Sequence, residues 1–436
     1  MKNMKEFIIL FLIIFTNFIA AQEINAPAAL KELTVQAFGQ YPRLKEAEGL
    51  VNLNEIKVGL AKAGYLPIAK IDAGYTTLDP VSKISIPMGP SPKEFQIMPN
   101  DNYNAALTVQ QPIIDFKTSA GVDKGLSELA VSNDNFQIAK TQLAYQVAQL
   151  YYGIIFLNKS VEVQRLQLNL IAENLKLIEA KIKNGDALAY DLVSTQVRFT
   201  NVENYYADLQ NQLKKQYNIL NMLTGKSGFN YVTDTSVSFA GCGFSADSVI
   251  NAAENFNQEL KLAGDRIASA EWDVVSAQNS MYPTLSFNGS IGYKNGIMPE
   301  MNDLKFNYAA GLALTIPILS PSRPSIQKEL AAVGVENYRN AFKTQKLTLS
   351  KDILNAIDDI KKNEKKYMSA DTLIAQARMA LDLAGERYKR GVITNLDLLT
   401  AQTNLQDALL NKLQTEYNTA LSKLELNRLA GRRWWQ

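Results

Sequence analysis

The sequence predicts a mostly α-helical fold, made of one half used twice, with a β-barrel contribution set in a membrane. Three observations predict it. Prolines are confined to two windows, long heptad seams fill the gaps between them, and four short segments inside the windows alternate in polarity at period two.

Residues 1–21 read as an export signal peptide. Lys2 and Lys5 give a positive start, Phe7 to Phe15 is an unbroken apolar run, and the small Ala20 and Ala21 precede Gln22 at the expected cleavage point. The run is shorter than the ~20 residues that span a bilayer. No cysteine follows it, so the residue that a lipoprotein acylates is lacking there. Elsewhere no uncharged apolar stretch approaches spanning length. The exported chain is therefore either soluble or held in a membrane by β-strands.

Twelve of the fourteen prolines lie within 67–112 and 283–324. Proline in a helix interior costs ~3 kcal/mol, so the proline-free stretches are where long helices run. Leu143, Val147, Leu150, Ile154, Leu157, Val161, Gln164, Leu168, Ile171, Leu175, Ile178 and Ile182 keep an alternating four-three spacing, which means coiled-coil packing. The helix is expected over 116–184, stopping at Asn184-Gly185, and is ~100 Å long at 1.5 Å per residue. A shorter helix precedes it at 44–63 and another follows at 188–225.

The chain then repeats itself. KNGDALAYDLVSTQ (183–196) realigns with KRGVITNLDLLTAQ (389–402) at an offset of 206, and Asn221 to Gly225 meets Asn427 to Gly431 at the same offset. The seam recurs from Leu349 through Ile353, Ile360 and Ala377 to Tyr388. The second set of helices is expected at 257–280, 324–389 and 394–430. Two structural repeats, 22–230 and 246–436, are thus joined by a linker at 231–245.

Each repeat carries two strands between its helices, at 68–78 and 103–111, then at 284–294 and 307–316. One face of each is apolar and the other small or polar: Ala69, Ile71, Ala73 and Tyr75 oppose Lys70, Asp72, Gly74 and Thr76. Segments of 9–11 residues with this pattern match outer-membrane strands. Tyr75, Tyr103, Tyr293 and Tyr308 all fall at the loop-side ends, as an interfacial aromatic girdle does. A half-buried sheet on a soluble core is the other reading of the same alternation. Four strands cannot close a barrel and an open edge cannot face lipid, so closure at about eight strands or more needs several chains. The hairpin connections 79–101 and 295–306 then lie on the cell exterior.

Composition excludes other chemistries. With no histidine and a single cysteine, Cys242, there is no Ser-His-Asp triad, no zinc helix, no intramolecular disulfide and no thiolate cluster. A formal charge of +2 gives no reason to expect a nucleic-acid partner. No cofactor or metal is expected, and no convergent acid-base or nucleophile constellation marks an enzyme.

Signal peptide, duplicated halves, strand pairs between long helices, and turns of the form K-x-G followed by D-L together resemble the TolC family of outer-membrane efflux proteins. ERYKRGVITNLDLLTAQTNL (386–405) is the most specific piece, and the resemblance covers nearly all of the mature chain. It implies a homotrimer with a twelve-stranded barrel in the outer membrane of a Gram-negative bacterium and a twelve-helix tunnel across the periplasm. It also implies a periplasmic adaptor and an inner-membrane transporter as partners, and a passive exit duct for efflux or type I secretion. By the same resemblance Asp397 lines a periplasmic constriction as an anionic ring, with Thr400 where the family pattern has a second acid. Asp191 is its first-half counterpart, expected to join a closed-state lock with Tyr388 and an arginine of the second half. The family's arginine falls at Ile393, leaving Arg390 or Arg387 as substitutes. Gly185 and Gly391 mark the tips that meet the adaptor, with Val392, Lys181, Lys183, Lys389 and Arg390 as contact candidates. Dipole compensation in a first helical turn explains Asp397 equally well without the resemblance. A periplasmic adaptor protein with long coiled-coil hairpins is the alternative function; it should show one hairpin flanked by small β-domains.

Overall fold

The structure, a computed structural model, describes residues 27–88, 92–229, 231–232, 245–318 and 322–435. The signal peptide, Cys242 and most of the 231–245 linker lie outside the described residues. The described chain is mostly helical and falls into two compact units.

One unit comprises 49–133 and 262–342. Its centre is an antiparallel sheet of β1 (Ile68–Thr77), β4 (Asp101–Ile114), β5 (Thr284–Lys294) and β6 (Lys305–Thr315), in the order β1-β4-β5-β6. The registers place every alternating face on one side. Ile71, Leu107, Ile291 and Tyr308 form a straight apolar row across all four strands, and Lys70, Thr108, Ser290 and Ala309 form a row on the other side. The apolar side has no core beneath it: Ile71 and Tyr308 are each 78 % exposed. Such a broad apolar surface is not that of a half-buried sheet on a soluble core. The polar side is concave, with a trough of about 540 Å³ lined by Lys70, Asp72, Thr108, Asn288 and Ser290. Within it Asp72 accepts hydrogen bonds from Lys70 at 3.1 Å and Thr108 at 2.9 Å.

Three expectations change here. β4 runs through Pro112, where the strand was expected to stop; the register shifts between Pro112 and Ile114, an irregularity that tolerates the missing N–H. The 79–101 connection holds a short hairpin, β2 (Lys83–Ile86) and β3 (Lys93–Gln96), with Ile84 opposite Phe95 and Ser85 opposite Glu94. The aromatic level is also uneven. Tyr75 pairs with Tyr103 (ring centroids 5.1 Å apart) and Tyr293 with Phe306 (5.7 Å), whereas Tyr308 sits one row further in, beside Ile291.

The other unit comprises residues up to 48, 134–261 and 343 onward. The two longest helices, α3 (Phe116–Lys183) and α7 (Ser322–Lys389), have 68 residues each. They are followed by α4 (Ala189–Thr224) and α8 (Asn395–Leu429). Seam residues Leu143, Val147, Ile154, Ile171, Ile178, Ile353 and Ile360 are buried, as their spacing requires. Two helices lie outside the predicted set. α1 (Ala28–Gln40) precedes α2 (Pro42–Ala63), and α5 (Ala246–Phe256) precedes α6 (Gln258–Asn279). A single extended residue breaks each pair: Tyr41 (ψ 114°), which Pro42 keeps out of the helical region, and Asn257 (ψ 123°). Leu30 and Leu33 of α1 pack with Tyr151, Ile154, Tyr217, Leu220 and Leu424 in one buried cluster.

Candidate functional site at the helix turns

Two turns, 184–188 and 390–394, join the long helices to α4 and α8. Gly185 (φ +84°) and Gly391 (φ +73°) stop the helices in the left-handed region. The hydrogen bonds match pair for pair. Gly185 N–H donates to Ile182 O and Asp186 N–H to Lys181 O; Gly391 N–H donates to Tyr388 O and Val392 N–H to Arg387 O. Nothing lies within 4 Å of a side chain placed at either glycine, so turn geometry alone requires them. Val392 stands 67 % exposed at the tip.

The two aspartates enter the next helices at the same step. Asp397 and Thr394 form a reciprocal box: the carboxylate accepts from Thr394 N–H at 2.9 Å and Oγ1 at 2.7 Å, and Thr394 Oγ1 accepts from Asp397 N–H at 3.2 Å. In the first repeat Leu188 replaces the threonine, leaving Asp191 one long bond of 3.3 Å from Leu188 N–H. The Thr394 hydroxyl, then its N–H, hold the Asp397 carboxyl below the ordinary carboxylate value. A lowered folded value means the cap's stability is present above the unfolded pKa and is lost as pH falls through the folded one. Protection of the amides at the start of α8, taken relative to their intrinsic exchange rates, should fall as pH drops through the lowered Asp397 value, and Asp397→Asn should flatten that dependence. An identical profile in both chains would show the carboxylate plays no capping part.

Tyr388 is buried in a cluster with Ile178 and Leu398, flanked by Leu177, Ile182, Leu192 and Ile393. Burial, and then the charge of Asp191, push its hydroxyl above the ordinary tyrosine value. The cation beside it is Lys181. Its ammonium donates to Tyr388 O at 2.8 Å and lies 4.2 Å from the ring centroid. Arg390 and Arg387 are exposed, so the structure brings Asp191, Tyr388 and Lys181 together and leaves the arginines outside. Sequence reasoning had Lys181 only as a tip residue.

It also missed a buried polar chain behind the turns. Thr195 Oγ1 donates to Asp191 O (2.7 Å), Asn395 Nδ2 to Thr195 Oγ1 (2.7 Å), and Asn174 Nδ2 to Asn395 Oδ1 (2.9 Å). The signal was available, because Ser160, Gln167, Asn174 and Lys181 recur every seven residues along α3 as a polar line beside the apolar one.

An open-edged sheet with an exposed apolar face, together with paired long helices ending in matched turns, defines the subunit of an outer-membrane channel. The comparisons with known proteins narrow this: the Outer membrane efflux protein family model matches residues 33–226 and 249–432. The chain belongs to that family, the outer-membrane efflux and secretion channels, and is an outer-membrane protein of a Gram-negative cell that extends into the periplasm. It is 22 % identical to the alkaline protease secretion protein AprF of Pseudomonas aeruginosa, over 74 % of this chain and 69 % of that one. It is 23 % identical to the outer membrane protein TolC of Vibrio cholerae, over 76 % and 77 %. The crystal structure of outer membrane protein VceC from Vibrio cholerae has the same fold, with a TM-score of 0.76 at 20 % identity, covering 93 % of this chain and 97 % of that one.

Proposed function

We propose that the protein is the outer-membrane exit duct of a tripartite efflux or type I secretion system. Three copies join the four-stranded sheets into a closed twelve-stranded barrel, and their long helices into a twelve-helix periplasmic tunnel. Substrates pass through it without catalysis, delivered by an inner-membrane transporter through a periplasmic adaptor that meets the tips at Gly185, Gly391 and Val392. The two structural repeats, 22–230 and 246–436, supply equivalent hairpins to the wall. The observation that carries this reading is the sheet itself. Its apolar face is exposed, its other face is a polar trough, and β1 and β6 are open edges that lipid does not tolerate. Tyr75, Tyr103, Tyr293 and Tyr308, joined by Phe306, form the outer aromatic girdle. The expected result is a detergent-extracted trimer that gives single-channel conductance in a planar bilayer. Release from the membrane by salt or alkali would sink the reading.

Asp397 and Asp191 with Tyr388 form the constriction, and the cation of the lock is Lys181 in place of Arg390. Exposed and ionised, three copies of Asp397 make an anionic ring that attracts cations. Asp397→Ala should weaken block of the conductance by divalent cations. Unchanged block removes Asp397 from the constriction.

A further inference from the structure

Four glutamines meet where α8 packs on α3, and each is at least nine-tenths buried: Gln164 and Gln167 from α3, Gln402 and Gln406 from α8. The bonds Asn174–Asn395 (2.9 Å) and Gln406–Gln164 (2.7 Å) run antiparallel, which sets Gln167 opposite Gln402 between them. Gln402 and Gln406 are four residues apart, so they share one face of α8. The hydrogen bonds fix which way the amides point. Gln164 Nε2 donates to the backbone carbonyl of Val202 in α4 at 3.0 Å, and a carbonyl can only accept. Gln164 therefore turns its Oε1 to Gln406 Nε2, and Gln406 Oε1 is left on the far side of that amide. Gln406 Oε1, Gln402 Oε1 and Gln167 Nε2 are buried without hydrogen-bond partners among the described residues. Two acceptors and one donor are left over at one level of the seam, where buried amides normally find partners.

We propose that these glutamines form a binding site for one structural water molecule. The water accepts from Gln167 Nε2 and donates one hydrogen each to Gln402 Oε1 and Gln406 Oε1, the three hydrogen bonds typical of a buried water. A metal cation does not fit, because the Gln167 donor would face it and neutral amides do not offset its charge. A direct Gln167–Gln402 bond does not complete the set either. It leaves Gln406 Oε1 without a donor, and a half-satisfied buried network is the costly kind. With the water in place the four amides make one continuous network, from Val202 O to Gln167, that joins α3, α4 and α8.

The test is a crystal structure of the full-length protein from detergent, at a resolution that shows ordered water. A density peak is expected at about 2.7–3.2 Å from Gln167 Nε2, Gln402 Oε1 and Gln406 Oε1 together. The peak should be lost in the Gln167→Met/Gln402→Met chain, whose side chains keep the length of glutamine without its amide. Melting temperatures give a second reading that needs no crystal. Gln167 and Gln406 do not face each other, so only a bridging molecule couples them. Gln167→Met should therefore lower the melting temperature less in a Gln406→Met chain than in the starting chain. Equal drops in the two backgrounds overturn the proposal. So does a site without density, a direct Gln167–Gln402 bond, or a peak at the shorter distances and higher coordination of a metal ion. A peak that survives in the methionine pair overturns it as well.

Discussion

Replacing Gly431 with alanine is expected to lower the melting temperature more than any other single methyl addition at the left-handed glycines. Gly431 (φ +73°) ends α8 with the same bond pattern as the two tip turns, donating to Arg428 O at 3.1 Å while Arg432 N–H donates to Asn427 O at 2.9 Å. The difference lies in its surroundings. A Cβ at Gly431 overlaps the carbonyl group of Phe256, at the break between α5 and α6. That backbone cannot withdraw, because Asn257 ties it down: its Nδ2 donates to Leu429 O and its Oδ1 accepts from Leu260 N–H, each at 2.9 Å. Left-handed strain adds about 1 kcal/mol, and displacing the junction brings the loss to roughly 3 kcal/mol or more. Gly185→Ala, with a similar φ and open space around it, should cost only the ~1 kcal/mol of strain. Equal losses in the two variants would show that the Phe256 approach does not limit packing.

Tyr217 supplies the second large effect, and its sign depends on the replacement. The side chain is fully buried in the cluster under α1, edge-on to Phe229 and Tyr231 with ring centroids 5.8 and 5.3 Å away. Its hydroxyl has no hydrogen-bond partner among the described residues. Tyr217→Ala empties the ring's volume and is expected to cost about 3–5 kcal/mol. Tyr217→Phe keeps the ring and removes an unpaired buried hydroxyl, so stability should hold or rise by ~1 kcal/mol. A destabilised phenylalanine variant in chemical denaturation would mean the hydroxyl has a partner.

The sequence made the repeating features legible. Heptad spacing is local, so the seams from Leu143 to Ile182 and from Leu349 to Tyr388 are readable, and so is the alternation of the four strands of the sheet. Features set by partners distant in sequence were harder. Neighbours in sequence point to Arg387 and Arg390 as the cations beside Tyr388, whereas Lys181 reaches its ring from the end of α3. The tyrosines are visible in the strand alternation, but only the register of β5 with β6 brings Phe306 level with Tyr293. The helices α1 and α5 were missed because one extended residue, Tyr41 or Asn257, interrupts what otherwise looks like flanking chain. The short β2–β3 hairpin was hidden among prolines, in strands too brief for alternation to show.

The strand order has a consequence for biogenesis. β4 pairs with β5, so the sheet's middle seam joins segments separated by all of α3 to α6. When β1 and β4 emerge from the export machinery, their later neighbours have not yet been delivered. The first hairpin must therefore wait with one long edge bare, in a compartment where an unpaired edge invites aggregation. The two central strands can pair only once the second hairpin has been made, so the sheet's middle seam is the last part of it to close.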